Sequence, residues 1–139
     1  MACLFCGIAD GHIPSKKVYE DDDVLAILDA RPVAPGHTLL IPKTHTARIE
    51  DLTPEQAAAL FKALHMIAGP IREAASCDAT TIGINNGPGS GQEIPHVHIH
   101  IIPRRRGDHG GIIQQLGPGG ADDPAKIAEA IRARINKDT

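Results

Sequence analysis

Aromatic residues are almost missing from this chain: Phe5, Tyr19 and Phe61 are all it has, and there is no tryptophan. A pocket for a flat ring must therefore be walled largely by aliphatic side chains. Cysteine is scarce too, with three in 139 residues, which excludes a disulfide framework and leaves Cys77 as a lone thiol. A basic excess is also lacking: the formal net charge of −3 argues against general nucleic-acid binding, which favours a basic face. No apolar run approaches the length of a membrane span, and no basic segment with a signal-peptide core opens the sequence. The expectation is a soluble cytoplasmic protein of one domain, 1–139, without a nucleic-acid or membrane partner.

Histidine is where the chain is rich. Pro95-His96-Val97-His98-Ile99-His100-Ile101-Ile102-Pro103 alternates imidazoles with β-branched apolar residues. Such alternation predicts a strand, because successive side chains leave it on opposite faces. His96, His98 and His100 then share one face while Val97, Ile99 and Ile101 pack into a core, and the prolines mark where pairing starts and stops. Three readings stand. The histidines are incidental to a half-exposed strand; they ligate one metal; or one is a nucleophile tuned by its neighbours.

Just upstream runs Asn85-Asn86-Gly87-Pro88-Gly89-Ser90-Gly91-Gln92. Glycine allows close backbone approach to a ligand, so this loop can aim N–H groups at an anion. Alone it reads as a flexible connector; directly before the histidines it reads as a phosphate cradle facing a nucleophile. Cys3-Leu4-Phe5-Cys6 has spacing suited to zinc or redox chemistry, but no thioredoxin-like pattern surrounds it.

The remaining elements follow from periodicity and punctuation. Residues 4–10 form a short helical turn; Lys17–Tyr19 and Val24–Leu28 are strands joined through an acidic hairpin tip, Glu20 to Asp23. His37–Ile41 is a third strand and Thr80–Asn85 a fourth. Thr53-Pro54-Glu55-Gln56 is a capping box opening a helix, with Leu60, Leu64, Ile67, Ile71 and Ala74 as its core stripe. Gly69-Pro70 is expected to kink or interrupt it before Ala75. Asp122-Asp123-Pro124 starts a last helix carrying Ile127, Ile131 and Ile135 on one face. The fold class is α+β: a single antiparallel sheet of about five strands with a long central helix and a C-terminal helix.

His96 to Ile102 resembles the signature of the histidine-triad (HIT) family of nucleotide hydrolases and transferases. Asp29 to Lys43 is similar to the family's upstream block, and Asn85 to Arg104 to its glycine loop, triad and trailing Ile-Pro-Arg. The resemblance runs from about 3 to 106. It implies that His98 attacks the α-phosphate of a purine nucleotide conjugate to give a nucleotidyl-histidine that water then hydrolyses. It implies further that His37 orients the triad, that Asn85, Gly91, Gln92 and His100 hold phosphate oxygens, and that Asp29 binds the ribose. Leu4, Phe5, Ile8, Ile27 and Ala30 fall where the base pocket lies. Some relatives hold a structural zinc on residues matching Cys3, Cys6, His45 and His96, and the family forms homodimers whose sheets join through the long helix and the Thr80 strand.

Two departures leave the substrate open. Glu93 stands where Hint-type phosphoramidases carry a hydroxyl residue, so that phosphate contact is not carried over, and the chain has no tryptophan, whereas Hint proteins end in a tryptophan-containing tail. Adenosine phosphoramidates and, as in the Fhit-like branch, dinucleoside polyphosphates are both compatible. Outside this chemistry stand two other classes: a metal-dependent hydrolase ligated by the whole triad, and a nucleotide-binding interaction protein. Arg104-Arg105-Arg106 either steers a polyphosphate tail or is simply solvated.

Overall fold

A computed structural model describes residues 3–120 and 123–137. Two compact units divide it, 1–108 and 109–139. The first contains α1 (Leu4–Ala9), β1 (Lys17–Glu20), β2 (Val24–Leu28), β3 (Thr38–Pro42), α2 (Pro54–Ala74), β4 (Ala79–Gly83) and β5 (Ile99–Arg104). The strands form one antiparallel sheet in the order β1-β2-β3-β5-β4, so the α+β class expected from the sequence is the one observed.

The two central apolar runs, Val24–Leu28 and Thr38–Pro42, are buried on both faces, which is why they scarcely alternate. Val24, Ala26, Leu40, Val97, Ile99 and Ile101 pack toward α2 with Leu60, Ala63 and Ile67. Leu25, Ile27, Leu39 and Ile41 face the other way, onto Phe5 and Ile8 of α1. With Ile99 and Ile101 committed to the α2 side, His98 and His100 must lie on the α1 side. The site is therefore built on the face that α1 covers.

The helix α2 opens as its sequence predicts. Gln56 N–H donates to Thr53 Oγ1 (3.1 Å), and Thr53 N–H donates to Gln56 Oε1 (2.9 Å). It does not break at Pro70 but runs unbroken to Ala74. Pro70 lacks the N–H that would bond Met66, four residues back, so the helix continues past it with that one bond unmade. The triad strand also differs from expectation. Regular pairing starts at Ile99 rather than Pro95, and it passes through Pro103, which pairs with Thr80, to Arg104. On the β3 side the ladder ends at Thr38 opposite Ile101, so Pro103 breaks no bond there. β3 begins one residue after His37, and β4 ends at Gly83, two residues before Asn85.

The acidic tip is a turn: Asp21 Oδ1 accepts from the N–H groups of Asp23 (2.8 Å) and Val24 (2.9 Å). Arg104 is clamped by both oxygens of Asp108 (2.6 and 2.9 Å), and Arg105 donates to the Ala75 carbonyl and the Cys77 sulfur. The second unit carries α3 (Pro124–Lys137), whose first turn is capped by Asp123 Oδ1 accepting from Ala125 N–H (3.1 Å). Ile127, Ile131 and Ile135 are about half exposed along it. Asp122 lies outside the described residues. No helix among the described residues is long and apolar enough to cross a membrane.

Candidate active site

The three histidines do not act as three copies of one group, because each ring is held differently. His98 donates its Nδ1–H to the backbone carbonyl of His96 (2.8 Å), which fixes the tautomer and leaves a lone pair on Nε2. The edge of Phe5 rests against its ring, with centroids 4.9 Å apart. An imidazole with one nitrogen held by the backbone and the other left free is positioned as a nucleophile.

His100 is set by a chain of bonds starting at the backbone. Val33 N–H donates to His37 Nδ1 (3.1 Å), so the His37 proton must be on Nε2, which lies 2.9 Å from His100 Nδ1. His100 then accepts at Nδ1 and carries its own proton on Nε2, an atom buried with no partner in the protein. That orphan donor is what a bound oxyanion would satisfy. Burial first, and then the His98 and His37 rings, push His100 down to about 4, so it stays neutral at pH 7. Burial also lowers His37, against the opposing pull of Asp29, whose Oδ2 lies 3.5 Å from His37 Nε2.

His96 faces elsewhere. Its Nε2–H donates to the Pro42 carbonyl (2.7 Å), freeing Nδ1, which lies 3.5 Å from Cys3 Sγ and 3.6 Å from Cys6 Sγ. His45 Nδ1 is 3.3 Å from Cys6 Sγ. Four ligand atoms, from Cys3, Cys6, His45 and His96, lie within 4.8 Å of one another. Two thiols and two imidazoles are a tetrahedral metal's donor set, and the Pro42 carbonyl orients His96 from behind as metal-bound histidines require. Asp29, His37 and His100 form a second cluster of ligand types. Its chemistry does not fit a cation: the backbone bond to His37 Nδ1 keeps a proton on the nitrogen that would have to ligate.

A cavity of about 850 Å³ opens over His98, His100 and Asp29. Leu4, Phe5, Ile8, Ile27, Ala30, Asp29, Asn85, Gly91, His98 and His100, all singled out from the sequence, line it. Gln92 does not. Its amide is a loop staple, with Oε1 accepting from Gly87 N–H (2.8 Å) and Nε2 donating to the Ala47 carbonyl (2.8 Å). The loop needs its glycines: at Gly87, φ is +105° and an added Cβ would stand 2.9 Å from the Arg48 guanidinium. The arginines 104–106 are not among the lining residues. Sequence reading missed Leu39, Ser15, Lys16, Arg31 and Ile94, which also line the cavity. Leu39 was within reach, since Leu40 packs on α2 and its neighbour must face α1. Ser15, Lys16 and Arg31 lie in connections, where side-chain direction has no period to read.

The HIT domain matches residues 10–107 of this chain. The chain belongs to the HIT family. The Bacillus subtilis protein hit is 46% identical over 140 residues, covering 96% of this chain and 94% of that protein. Adenylylsulfatase HINT3 of Arabidopsis thaliana is 43% identical over 76% of this chain and 54% of its own length. An asymmetrical bis(5'-nucleosyl)-tetraphosphatase of Schizosaccharomyces pombe is 38% identical over 69% of this chain and 53% of its own. Among solved structures, a HIT family member from B. subtilis superposes with a TM-score of 0.85 at 41% identity, covering 96% of this chain and 97% of that one. A zinc-bound histidine triad protein from Mycobacterium smegmatis does so at 0.73 and 38% identity, covering 99% and 95%. This HIT protein thus has relatives that act on nucleotides and a structural neighbour that holds zinc.

Proposed function

We propose that this HIT protein is a nucleotide hydrolase or transferase that cleaves purine nucleotide conjugates at the α-phosphate. Adenosine 5'-phosphoramidate is the preferred substrate class. The observation that carries the reading is the His98 tautomer: Nδ1–H bound to the His96 carbonyl, Nε2 free in a cavity that also holds the orphan His100 donor. His98 Nε2 attacks phosphorus as the bond to the leaving amine breaks, and the amine takes a proton from solvent. The His96 carbonyl stabilises the charge that develops on the imidazole. Water then attacks the nucleotidyl-His98, releasing the nucleoside monophosphate and restoring the neutral ring. Asn85, Gly91 and His100 Nε2–H border the phosphate, Asp29 accepts from the ribose, and Leu4, Phe5, Ile8, Ile27 and Ala30 enclose the base. Gln92 contributes by holding the loop.

Cleavage of dinucleoside polyphosphates is the second reading, favoured by the tetraphosphatase relative; adenylyl sulfate, by the HINT3 relative, would enter the same chemistry. A hydrolase with one metal on all three triad histidines is disfavoured, because His96 Nδ1 is turned to the cysteines and His100 Nδ1 to His37. Zinc held by Cys3, Cys6, His45 and His96 would instead clamp the start of α1, and with it Leu4, Phe5 and Ile8. A cytoplasmic homodimer is proposed on the exposed Phe61 and Met66 of α2 and Ile82 of the edge strand β4.

The test is turnover of a panel of adenylyl compounds with rapid quenching, with and without chelator. An adenylyl adduct on His98 and loss of turnover in His98→Ala with nucleotide binding retained are expected. An adduct on His96 or His100 would refute the assignment.

A further inference from the structure

We infer that Asp29 is a positioning residue for the His37–His100 pair, so that ribose hydroxyls, by occupying its carboxylate, select the reactive tautomer of His100. The inference rests on the adenylyl chemistry proposed above. His37 has one N–H to give, on Nε2, because Val33 N–H occupies its other nitrogen. Two acceptors stand around that proton: His100 Nδ1 at 2.9 Å and Asp29 Oδ2 at 3.5 Å. Distance favours the imidazole, while charge favours the carboxylate, the stronger acceptor. Asp29 cannot simply swing away, since its other oxygen accepts from Arg31 N–H (2.9 Å) in the turn that follows β2.

The choice has a chemical consequence at the far side of His100. When His37 donates to His100, His100 must keep its proton on Nε2 and offer a donor to a phosphate oxygen. When the His37 ring tilts its Nε2–H toward Asp29 and away from His100, His100 Nδ1 loses its donor, and the His100 proton can move to that nitrogen once the two no longer face each other at 2.9 Å. Its Nε2 then presents a lone pair to an anion, which is repulsive. Asp29 lines the cavity and is partly exposed to it, so ribose hydroxyls can reach the oxygen that competes. Once they donate to it, the His37 proton is left to His100. A part of the substrate remote from phosphorus would thereby set a group that acts on the transition state, and its contribution should appear in kcat as well as KM.

Adenosine 5'-phosphoramidate and its 2',3'-dideoxy analogue should be compared on the native protein and on Asp29→Ala. The native protein should lose kcat, not only KM, on the dideoxy substrate. Asp29→Ala should turn over the dideoxy substrate with a kcat about tenfold above the native protein's, equivalent to about 1.4 kcal/mol, because the competing acceptor is gone. A ribose effect confined to KM, with dideoxy kcat unmoved by Asp29→Ala, overturns the inference. Nitrogen-15 NMR of the His100 ring decides the same point without turnover. Adenosine should raise the Nε2–H population and 2',3'-dideoxyadenosine should not; a tautomer unmoved by either overturns the coupling. Asp29→Asn keeps the turn acceptor, so if Asp29→Ala does not fold, Asp29→Asn should show the raised Nε2–H population without any nucleoside. Failure of every adenylyl compound to turn over would sink the proposed chemistry, while the NMR result would still decide the tautomer.

Discussion

Lowering the pH from 7 to 5 should destabilise this protein through His100, and the size of the loss can be worked from its surroundings. The ring is held at about 4 against an ordinary 6.5, first by burial and then by the two neighbouring imidazoles. Between those values the unfolded chain binds a proton that the folded one refuses, so stability falls as pH falls through 6.5 and levels off below about 4. The gap of about 2.5 pH units corresponds to about 3.4 kcal/mol at most. His100 is only part-buried, so solvent screening reduces this to about 2 kcal/mol, reached near pH 4. His37 is lowered by burial too and steepens the same limb. Carboxylates with lowered values, Glu20 beside Lys43 and Lys17 and Asp21 in its turn, lose their contribution only at more acid pH, as they protonate. The window from pH 7 to 5 therefore isolates the imidazoles. Urea unfolding across it, on native protein and His100→Gln in the same metal state, is the assay. The native curve should fall by about 0.8 kcal/mol per pH unit more steeply than the variant's over the lower part of the window, which is the screened total of about 2 kcal/mol spread over about 2.5 units. Parallel curves would refute the claim that burial keeps this ring neutral.

Elemental analysis should find about one zinc per chain, lost in Cys3→Ala, and chelator should lower Tm; metal-free protein of unchanged Tm would dismiss the site. Leu60→Ala, at a fully buried position where α2 meets the sheet, should cost about 2–5 kcal/mol in denaturant unfolding, and a loss under 1 would mean that α2 is not seated there.

What could be read in advance depended on whether a local rule decided the outcome. The Thr53–Gln56 box was legible because its two bonds are made within one turn. The placement of His98 and His100 opposite Ile99 and Ile101 was legible because a strand has a fixed period. Pro70 and Pro103 misled because proline states what the backbone cannot donate, whereas the outcome depends on whether a partner waits at that point. None waits on the β3 side of Pro103, and α2 runs past Pro70 with only one of its own bonds unmade. Gln92 misled for a related reason: an amide beside a glycine loop can face a ligand or close the loop, and the Ala47 carbonyl that decides it is 45 positions away. The four candidate metal ligands were assigned through family resemblance; their spacing alone would not have joined Cys3 to His96, 93 positions apart.

One residue connects the candidate metal cluster to His98, the proposed nucleophile. His96 is fully buried and held at three points: Nε2–H on the Pro42 carbonyl, Nδ1 against the cysteine sulfurs, and its own carbonyl under His98 Nδ1–H. The first two contacts fix the ring, and a fixed ring limits how far the peptide behind it can rotate. That peptide supplies the acceptor that selects the His98 tautomer. Loosening the ring on the cysteine side therefore weakens the constraint on His98 even though no cysteine lines the cavity. It does so alongside the effect on α1, whose Phe5 rests against both rings, with centroids 5.9 Å from His96 and 4.9 Å from His98. The alternation His-x-His thus has a physical purpose beyond placing side chains on one face. Two residues is the separation at which the carbonyl of one histidine reaches the Nδ1–H of the next, and at this site it ties the ring that can hold a metal to the ring that can attack.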